Sequence, residues 1–91
     1  MAQLKFTRHL VRFFPNLENP TAVSGTTIAE LIKNIDDKHP GLAAYIIDER
    51  GMLRKHVNIF LRGDLIQDRQ TLQDTVEVND EVYIFQALSG G

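Results

Sequence analysis

Gly25-Thr-Thr-Ile-Ala-Glu-Leu-Ile-Lys-Asn-Ile-Asp-Asp-Lys-His-Pro-Gly41 is the most informative segment of the sequence. It contains the start, the periodicity and the stop of one amphipathic helix. Thr27 is the predicted N-cap, and Glu30 follows three residues later, which is the pattern of a capping box. Apolar side chains recur at i, i+3, i+4 and i+7 and form one stripe: Ile28, Leu31, Ile32 and Ile35. Pro40-Gly41 ends the pattern. The sequence therefore predicts one helix of roughly three turns with a single buried face.

Two strands are predicted before this helix. Residues 3–7 alternate polar and apolar side chains, which is typical of a half-buried strand. Residues 9–14 show no clean alternation, and two proline–asparagine pairs follow, so a loop is predicted through Asn19. A short second strand at residues 21–24 then completes an opening hairpin.

Three more strands are predicted after the helix. Val57, Ile59 and Leu61 alternate with less apolar positions, residues 65–66 form a brief edge strand after a turn at 62–64, and a final strand begins at Glu81. Residues 42–47 are apolar but too short to assign, so a helical turn and a strand both remain open. Leu72 and Val76 are expected to fill the core from an irregular connection.

The predicted order is strand, strand, helix, strand, short strand, strand. This order favours an α+β fold, a ubiquitin-like β-grasp roll in which a mixed sheet of four to five strands packs against one main helix. Residues 1–91 are expected to form a single domain, with residues 87–91 as a flexible C-terminal tail.

Composition excludes several classes of function. The 91 residues contain no cysteine, so disulfides, thiolate metal sites and a cysteine nucleophile are impossible. No apolar run approaches the roughly 18 residues of a membrane span, and the first residues lack a signal-peptide core. We therefore expect a cytoplasmic protein with no membrane association.

The charge pattern argues against a nucleic-acid partner. The formal net charge is −2, and the basic residues are dispersed along the sequence. One alternative remains open, in which the fold gathers them into a patch that meets an acidic partner: Arg8, Arg12, Arg54, Lys55 and Arg62. A scattered, solvated arrangement is the simpler expectation.

The chemically suggestive feature is the glycine pair Gly90-Gly91, which follows the final strand. Glycine has no Cβ, so these residues fit a channel too narrow for other side chains, and an enzyme there would reach the carboxylate of Gly91. The alternative is a frayed terminus without function. The attachment of the pair to a predicted strand favours the first interpretation.

Four segments resemble the ThiS/MoaD family of ubiquitin-like sulfur carrier proteins. They are Ser24-Gly-Thr-Thr-Ile-Ala-Glu-Leu31, His56-Val-Asn-Ile-Phe-Leu-Arg-Gly63, Val78-Asn-Asp-Glu-Val-Tyr-Ile-Phe85 and Ala87-Leu-Ser-Gly-Gly91. The chain is most similar to the longer branch that serves cysteine synthesis or metabolite thiolation. That branch shares the stretch corresponding to residues 40–55.

The resemblance implies a carrier without catalytic residues or a bound cofactor. In the family, an E1-like adenylating enzyme uses ATP and Mg²⁺ to adenylate the terminal glycine, here Gly91. A sulfur donor then produces a thiocarboxylate, from which a client biosynthetic enzyme takes sulfide. Ser89 and Gly90 would belong to the tail, and in some relatives a metalloprotease first removes residues that follow the glycines.

Two rival functions use the same fold. A ubiquitin-like modifier would attach Gly91 to lysines of target proteins, and the activated carboxylate serves both purposes. A small subunit of a molybdopterin-synthase-type complex would remain bound to a large subunit. The sequence does not name the pathway.

A partner docking surface is predicted beside the tail, from Phe60, Tyr83, Phe85 and Leu88. Val82 and Ile84 share one strand face, so Tyr83 and Phe85 lie on the other. In the alternative arrangement, the loop at residues 9–17 folds over these aromatic side chains. The sequence does not decide between the two.

Other polar residues show no functional pattern. His9, His39 and His56 lack the spacing of metal ligands, so no metal site is predicted. Ser89 lacks the G-x-S-x-G context of a nucleophile. The paired acids Asp36-Asp37 and Asp48-Glu49 are expected to be solvated.

Overall fold

A computed structural model describes residues 1–86, which form a five-stranded mixed sheet with one long helix packed on one face. The elements are β1 (Ala2–Phe6), α1 (Arg8–Arg12), β2 (Thr21–Val23), α2 (Ile28–Lys38), a 3₁₀ helix (Ala43–Tyr45), β3 (Val57–Leu61), β4 (Asp64–Leu65) and β5 (Glu81–Gln86). The predicted α+β, β-grasp architecture is confirmed. Within residues 1–86, no helix combines the length and apolarity that crossing a membrane requires.

The last strand lies in the middle of the sheet. The strand order is β2-β1-β5-β3-β4, and β1 runs parallel to β5 while the other pairs are antiparallel. Phe6 lies opposite Ile84, and Val57 lies opposite Gln86. Therefore β5 extends two residues past its last partner in β1 and ends beside the first residue of β3.

Helix α2 begins and packs as the sequence predicts. Its N-cap is Thr27, whose Oγ1 accepts the Glu30 backbone N–H at 3.2 Å. The Glu30 carboxylate returns to the N–H of Thr26 at 2.6 Å, one residue earlier than in a standard capping box. Hydrogen bonds from the N–H and the hydroxyl of Thr26 lower the pKa of Glu30, with the N–H as the main cause. The predicted apolar stripe is buried: Ile28, Leu31, Ile32 and Ile35.

The connection between β4 and β5 caps the start of α2 with backbone hydrogen bonds. The N–H of Ile28 donates to Asp74 O at 3.2 Å, and the N–H of Ala29 donates to Leu72 O at 2.9 Å. Free N–H groups at the helix start are thereby satisfied by backbone carbonyls. Leu72 and Val76 are buried, so their predicted place in the core is confirmed.

The predicted loop after β1 is wrong in its first part, because α1 spans Arg8–Arg12. This helix has only one turn, and its N-cap Thr7 makes no side-chain capping bond. Burial of Leu10 in the core stabilises α1 in place of a side-chain cap. The sequence therefore contains no local signal for this helix. Further on, the Asn19 side chain joins the end of β1: its Oδ1 accepts the Phe6 N–H and its Nδ2 donates to Phe6 O, both at 3.0 Å.

The edge strand β4 begins one residue earlier than predicted. Arg62 and Gly63 have φ angles of 53° and 87° and form a two-residue hairpin turn between Leu61 and Asp64. Positive φ at both central positions is the type I′ geometry, which matches the twist of the paired strands. The predicted turn at residues 62–64 is thus shorter by one residue.

Residues 42–47, for which the sequence allowed either a helical turn or a strand, contain a helical turn, the 3₁₀ helix Ala43–Tyr45. Leu42 and Ile46 on either side of it are fully buried, which explains why a short apolar run stands there. Asp36, expected to be a solvated acid, accepts the N–H groups of Gly41 and Ala43 at 3.1 and 3.0 Å. It therefore fixes the turn that follows α2.

Asp48 has the same kind of role in the next turn. Its Oδ1 accepts the N–H groups of Arg50 at 2.9 Å and Met52 at 3.1 Å. These bonds, chiefly that from Met52, lower the pKa of the carboxyl. The expectation of merely solvated acids is therefore wrong for Asp36 and Asp48.

Candidate functional site: the outer sheet face and the end of β5

The two faces of β5 differ in their environment. Val82 and Ile84 point towards α2 and are buried, whereas Tyr83 and Phe85 lie on the outer face with 40% and 39% of their surface exposed. Strand geometry imposes this alternation, because successive side chains point to opposite sides of a sheet. The face away from α2 therefore presents aromatic side chains to solvent.

The outer aromatic side chains form one continuous group across two strands. Phe60 and Tyr83 are cross-strand partners, with ring centroids 6.5 Å apart and planes at 71°. Tyr83 and Phe85 follow at 6.1 Å and 54°. Edge-on and tilted arrangements of this kind are favoured by the ring quadrupoles. The group is therefore held in place before any partner binds.

Leu65 extends this group and was not predicted as a site residue. The type I′ turn places it opposite Phe60 in the β3–β4 pair, and 55% of its surface is exposed. The sequence signal was the two-residue turn itself, because a tight hairpin fixes which side chains face each other. We call Phe60, Leu65, Tyr83 and Phe85 the outer apolar face. A shallow groove beside it is bordered by Lys5 and Glu81.

The loop between β1 and β2 does not fold over these aromatic side chains. Leu10 and Leu17 of that segment are buried in the core. Phe13 stacks on Tyr45 at 5.4 Å, and Phe14 meets the same ring edge-on at 5.7 Å. The alternative that covered Tyr83 and Phe85 with residues 9–17 is therefore wrong.

The remaining predicted site residues follow β5. Leu88, Ser89, Gly90 and Gly91 lie outside the described residues, as does the predicted flexible tail at 87–91. The residue before this segment, Gln86, lies opposite Val57 at the end of the central strand.

Arg69 holds the residues that lead into β3 through three hydrogen bonds. This role was not predicted from the sequence. The Nη2 of Arg69 donates to the carbonyls of Arg54 and Val57 at 2.8 and 2.9 Å, and its Nη1 donates to Asn58 Oδ1 at 3.1 Å. The β4 strand pairs only with the far end of β3, so Arg69 covers part of the edge that β4 leaves unpaired. No local pattern marks such a role, because its partners lie 11–15 residues away.

No candidate metal centre emerges from residues 1–86, where no three His, Cys, Asp or Glu side chains are grouped suitably for an ion. The most perturbed carboxyl among these residues is Asp68, whose pKa is lowered to about 2 by hydrogen bonds, first from the Thr71 hydroxyl and then from the Thr71 N–H. Asp68 also accepts the backbone N–H groups of Gln70 and Gln73, so its role is to shape a turn.

Comparison with known proteins identifies the family. The model of the ThiS family matches residues 11–91, which is most of the chain. The chain belongs to the ThiS family. It is a ubiquitin-like sulfur carrier, and ThiS-family carriers are substrates of E1-like activating enzymes and not enzymes themselves. The resemblance found in the sequence is thereby confirmed.

Solved structures share the fold of this ThiS-family carrier. A chain of the BexX/CysO complex from Amycolatopsis orientalis is 20% identical, with 100% of both chains covered and a TM-score of 0.84. CysO from Mycobacterium tuberculosis is 19% identical over 97% of this chain and 100% of that one, with a TM-score of 0.84. SAMP1 from Haloferax volcanii is 22% identical over 99% and 98%, with a TM-score of 0.76. No curated protein sequence matches the chain significantly.

Proposed function

We propose that this ThiS-family carrier delivers sulfur as a thiocarboxylate on Gly91. A carboxylate oxygen of Gly91 attacks the α-phosphorus of ATP in an E1-like enzyme, and pyrophosphate leaves. A sulfide-level donor then attacks the acyl carbon, and AMP leaves with that oxygen. The client biosynthetic enzyme later takes the sulfur. ATP and Mg²⁺ belong to the activating enzyme, which also supplies the groups that stabilise the transition states.

The family match, which runs through Gly91, is the observation that carries this proposal. The described residues add a physical argument. Because β5 is the central strand, it is paired with β1 as far as Ile84 and with β3 as far as Gln86, its last residue. The glycines therefore follow a rigid support, and two residues without a Cβ suit a narrow enzyme channel.

We further propose that the outer apolar face is the docking surface for the activating enzyme. The glycines alone offer few contacts, so most of the binding energy must come from the folded domain. Exposed aromatic side chains that become buried are frequent anchors of protein interfaces. Phe60, Leu65, Tyr83 and Phe85 form such a group on the face of the strand that leads to the glycines.

The second candidate function is that of a ubiquitin-like modifier. The structural similarity to SAMP1, a small archaeal modifier protein, supports this candidate. Both functions need the same adenylated Gly91. Mass spectrometry of the protein purified from its own cells separates them. Replacement of one oxygen by sulfur at Gly91 supports the carrier, whereas a series of lysine conjugates supports the modifier.

Deletion of Gly90 and Gly91 tests the proposal directly. We expect the truncated chain to keep the denaturation midpoint of the full chain and to lose AMP and pyrophosphate release with the activating enzyme. Ser89→Ala serves as the matched control, because it alters the tail while keeping both glycines, and it should remain active. Normal AMP release by the truncated chain would refute a role for Gly91.

A further inference from the structure

The end of the sheet where β5 finishes carries a concentration of basic side chains. Since β1 runs parallel to β5 and β3 runs antiparallel to it, α1 and the residues just before β3 meet at this end. These two segments supply four exposed basic side chains, which we call the basic rim: Arg8, Arg12, Arg54 and Lys55. These residues are dispersed along the sequence, and the strand order brings them to one end.

An aromatic stack joins the two halves of the basic rim. Phe13, the C-cap of α1, stacks on Tyr45 at 5.4 Å. The Nε of Arg54 donates to the carbonyl oxygen of Ala44, next to Tyr45, at 2.8 Å. The rim is therefore one surface with an apolar centre, since 59% of Phe13 and 37% of Tyr45 are exposed. Aromatic and arginine side chains together are typical of interface hot spots.

The opposite end of the sheet is acidic. Asp64, Asp80 and Glu81 lie there, at the turn after β3 and at the start of β5. Arg62, the fifth basic residue of the sequence pattern, is also at this end and pairs with Asp80. The possibility that Arg62 joins the other four is therefore wrong.

Acids also lie near the rim. The exposed Glu18 precedes Asn19, whose side chain binds Phe6 at the end of β1. Asp48 shares a surface groove with Arg54 and Lys55, and its carboxylate accepts two backbone N–H groups.

The short distance from the end of β5 to Gly91 indicates which partner contacts the basic rim. Five residues run from position 87 to Gly91, and an extended chain of five residues spans roughly 17 Å. An enzyme that draws Gly91 into its active site must therefore bring the mouth of its channel against the end of β5. The basic rim borders that end on two sides.

We propose that the channel mouth of the activating enzyme is acidic and that the basic rim is its electrostatic contact on the carrier. This inference rests on the proposed function and adds a second contact surface to the outer apolar face. Opposite charges around a binding site raise the association rate and orient the encounter, and salt weakens both effects. The outer apolar face then governs how long the complex lasts, and the rim governs how fast it forms.

Association rates of the full chain with the activating enzyme of its own organism test the proposal. Lys55→Glu and Arg8→Glu each reverse one charge of the rim. Lys33→Glu makes the same change in net charge on the exposed side of α2 and is the matched control. At low salt we expect each rim variant to associate about tenfold more slowly than the control. At about 0.5 M salt the difference should shrink to about twofold or less.

The outcomes separate this inference from the function on which it rests. If the rim variants match Lys33→Glu at every salt concentration while Phe85→Ala still weakens binding, the acidic channel mouth is refuted and the docking face stands. If the unaltered chain is not adenylated at all, the proposed function itself fails. If the rim variants instead lose binding to a single-stranded oligonucleotide and keep normal enzyme association, the rim serves nucleic acid and the proposal is overturned.

Discussion

The two faces of strands β3 and β5 have different roles. On the inner face, Ile59 and Ile84 have at most 1% of their surface exposed and pack in the core with the apolar stripe of α2. On the outer face, Phe60 and Tyr83 sit one residue along from them and keep contact with solvent. Aliphatic side chains on one face therefore serve folding, whereas aromatic side chains on the other face remain available for binding. The difference arises because the long helix α2 packs on only one face of the sheet.

The largest expected effect comes from breaking the inner face. Ile32→Ala should destabilise the fold by about 2–5 kcal/mol, because Ile32 is buried and its truncation leaves a cavity. Denaturant titration measures this, with Lys33→Ala as the control, since Lys33 is exposed on the same helix. A loss below about 1 kcal/mol for Ile32→Ala would mean that α2 does not seal the core.

A smaller and different effect is expected on the outer face. Phe85→Ala should weaken binding of the activating enzyme by about 2 kcal/mol or more, the level of an interface hot spot. Its effect on stability should be smaller than this, because Phe85 keeps 39% of its surface exposed in the free chain. Calorimetry of binding and denaturant titration give the two quantities.

The neighbouring inner residue provides the matched control for Phe85. Ile84→Ala lies one position away on the buried face, so it should lower stability by about 2–5 kcal/mol. At temperatures where the variant remains folded, its binding should be near normal. Unchanged affinity in Phe85→Ala, together with a large loss of stability, would place Phe85 among the core residues and remove the contrast between the faces.

The smallest effect concerns the connection that closes the inner face, where Asp68 holds a turn before Leu72. Hydrogen bonds lower the pKa of Asp68 from an ordinary 3.8 to about 2, so between these values the unfolded chain binds more protons than the folded one. The stabilisation is therefore complete above the ordinary pKa and is lost as the pH falls towards about 2.

We expect Asp68→Asn to flatten the decline of the urea midpoint over this acidic range. Asp64→Asn, a change at an exposed β4 carboxyl, is the control and should leave the decline close to that of the unaltered chain. Equal slopes for the unaltered chain and Asp68→Asn would show that the hydrogen bonds to Asp68 are not the source of acid sensitivity.

Local signals were enough to predict some elements, and long-range contacts created the others. The capping residues and the apolar stripe of α2 lie within a few positions of one another, so the sequence reveals them without tertiary information. The one-turn helix α1 exists because Leu10 reaches the core, and no pattern of five residues can show this. The candidate site divides in the same way. The alternation of β5 predicted Tyr83 and Phe85 on the outer face, whereas Leu65 joined them only through the register of a hairpin.

The family, the main helix and the faces of the strands could be predicted from the residues alone, because periodicity, capping residues and the glycine pair involve positions close together in the chain. The position of β5 between β1 and β3, and the four dispersed basic residues that border its end, became apparent only from the folded chain. Strand order depends on which segments pair across long stretches of chain, and such pairing comes from the burial of the whole core. For that reason Arg8 and Lys55 share one end of the molecule while Arg62 lies at the other, beside Asp80.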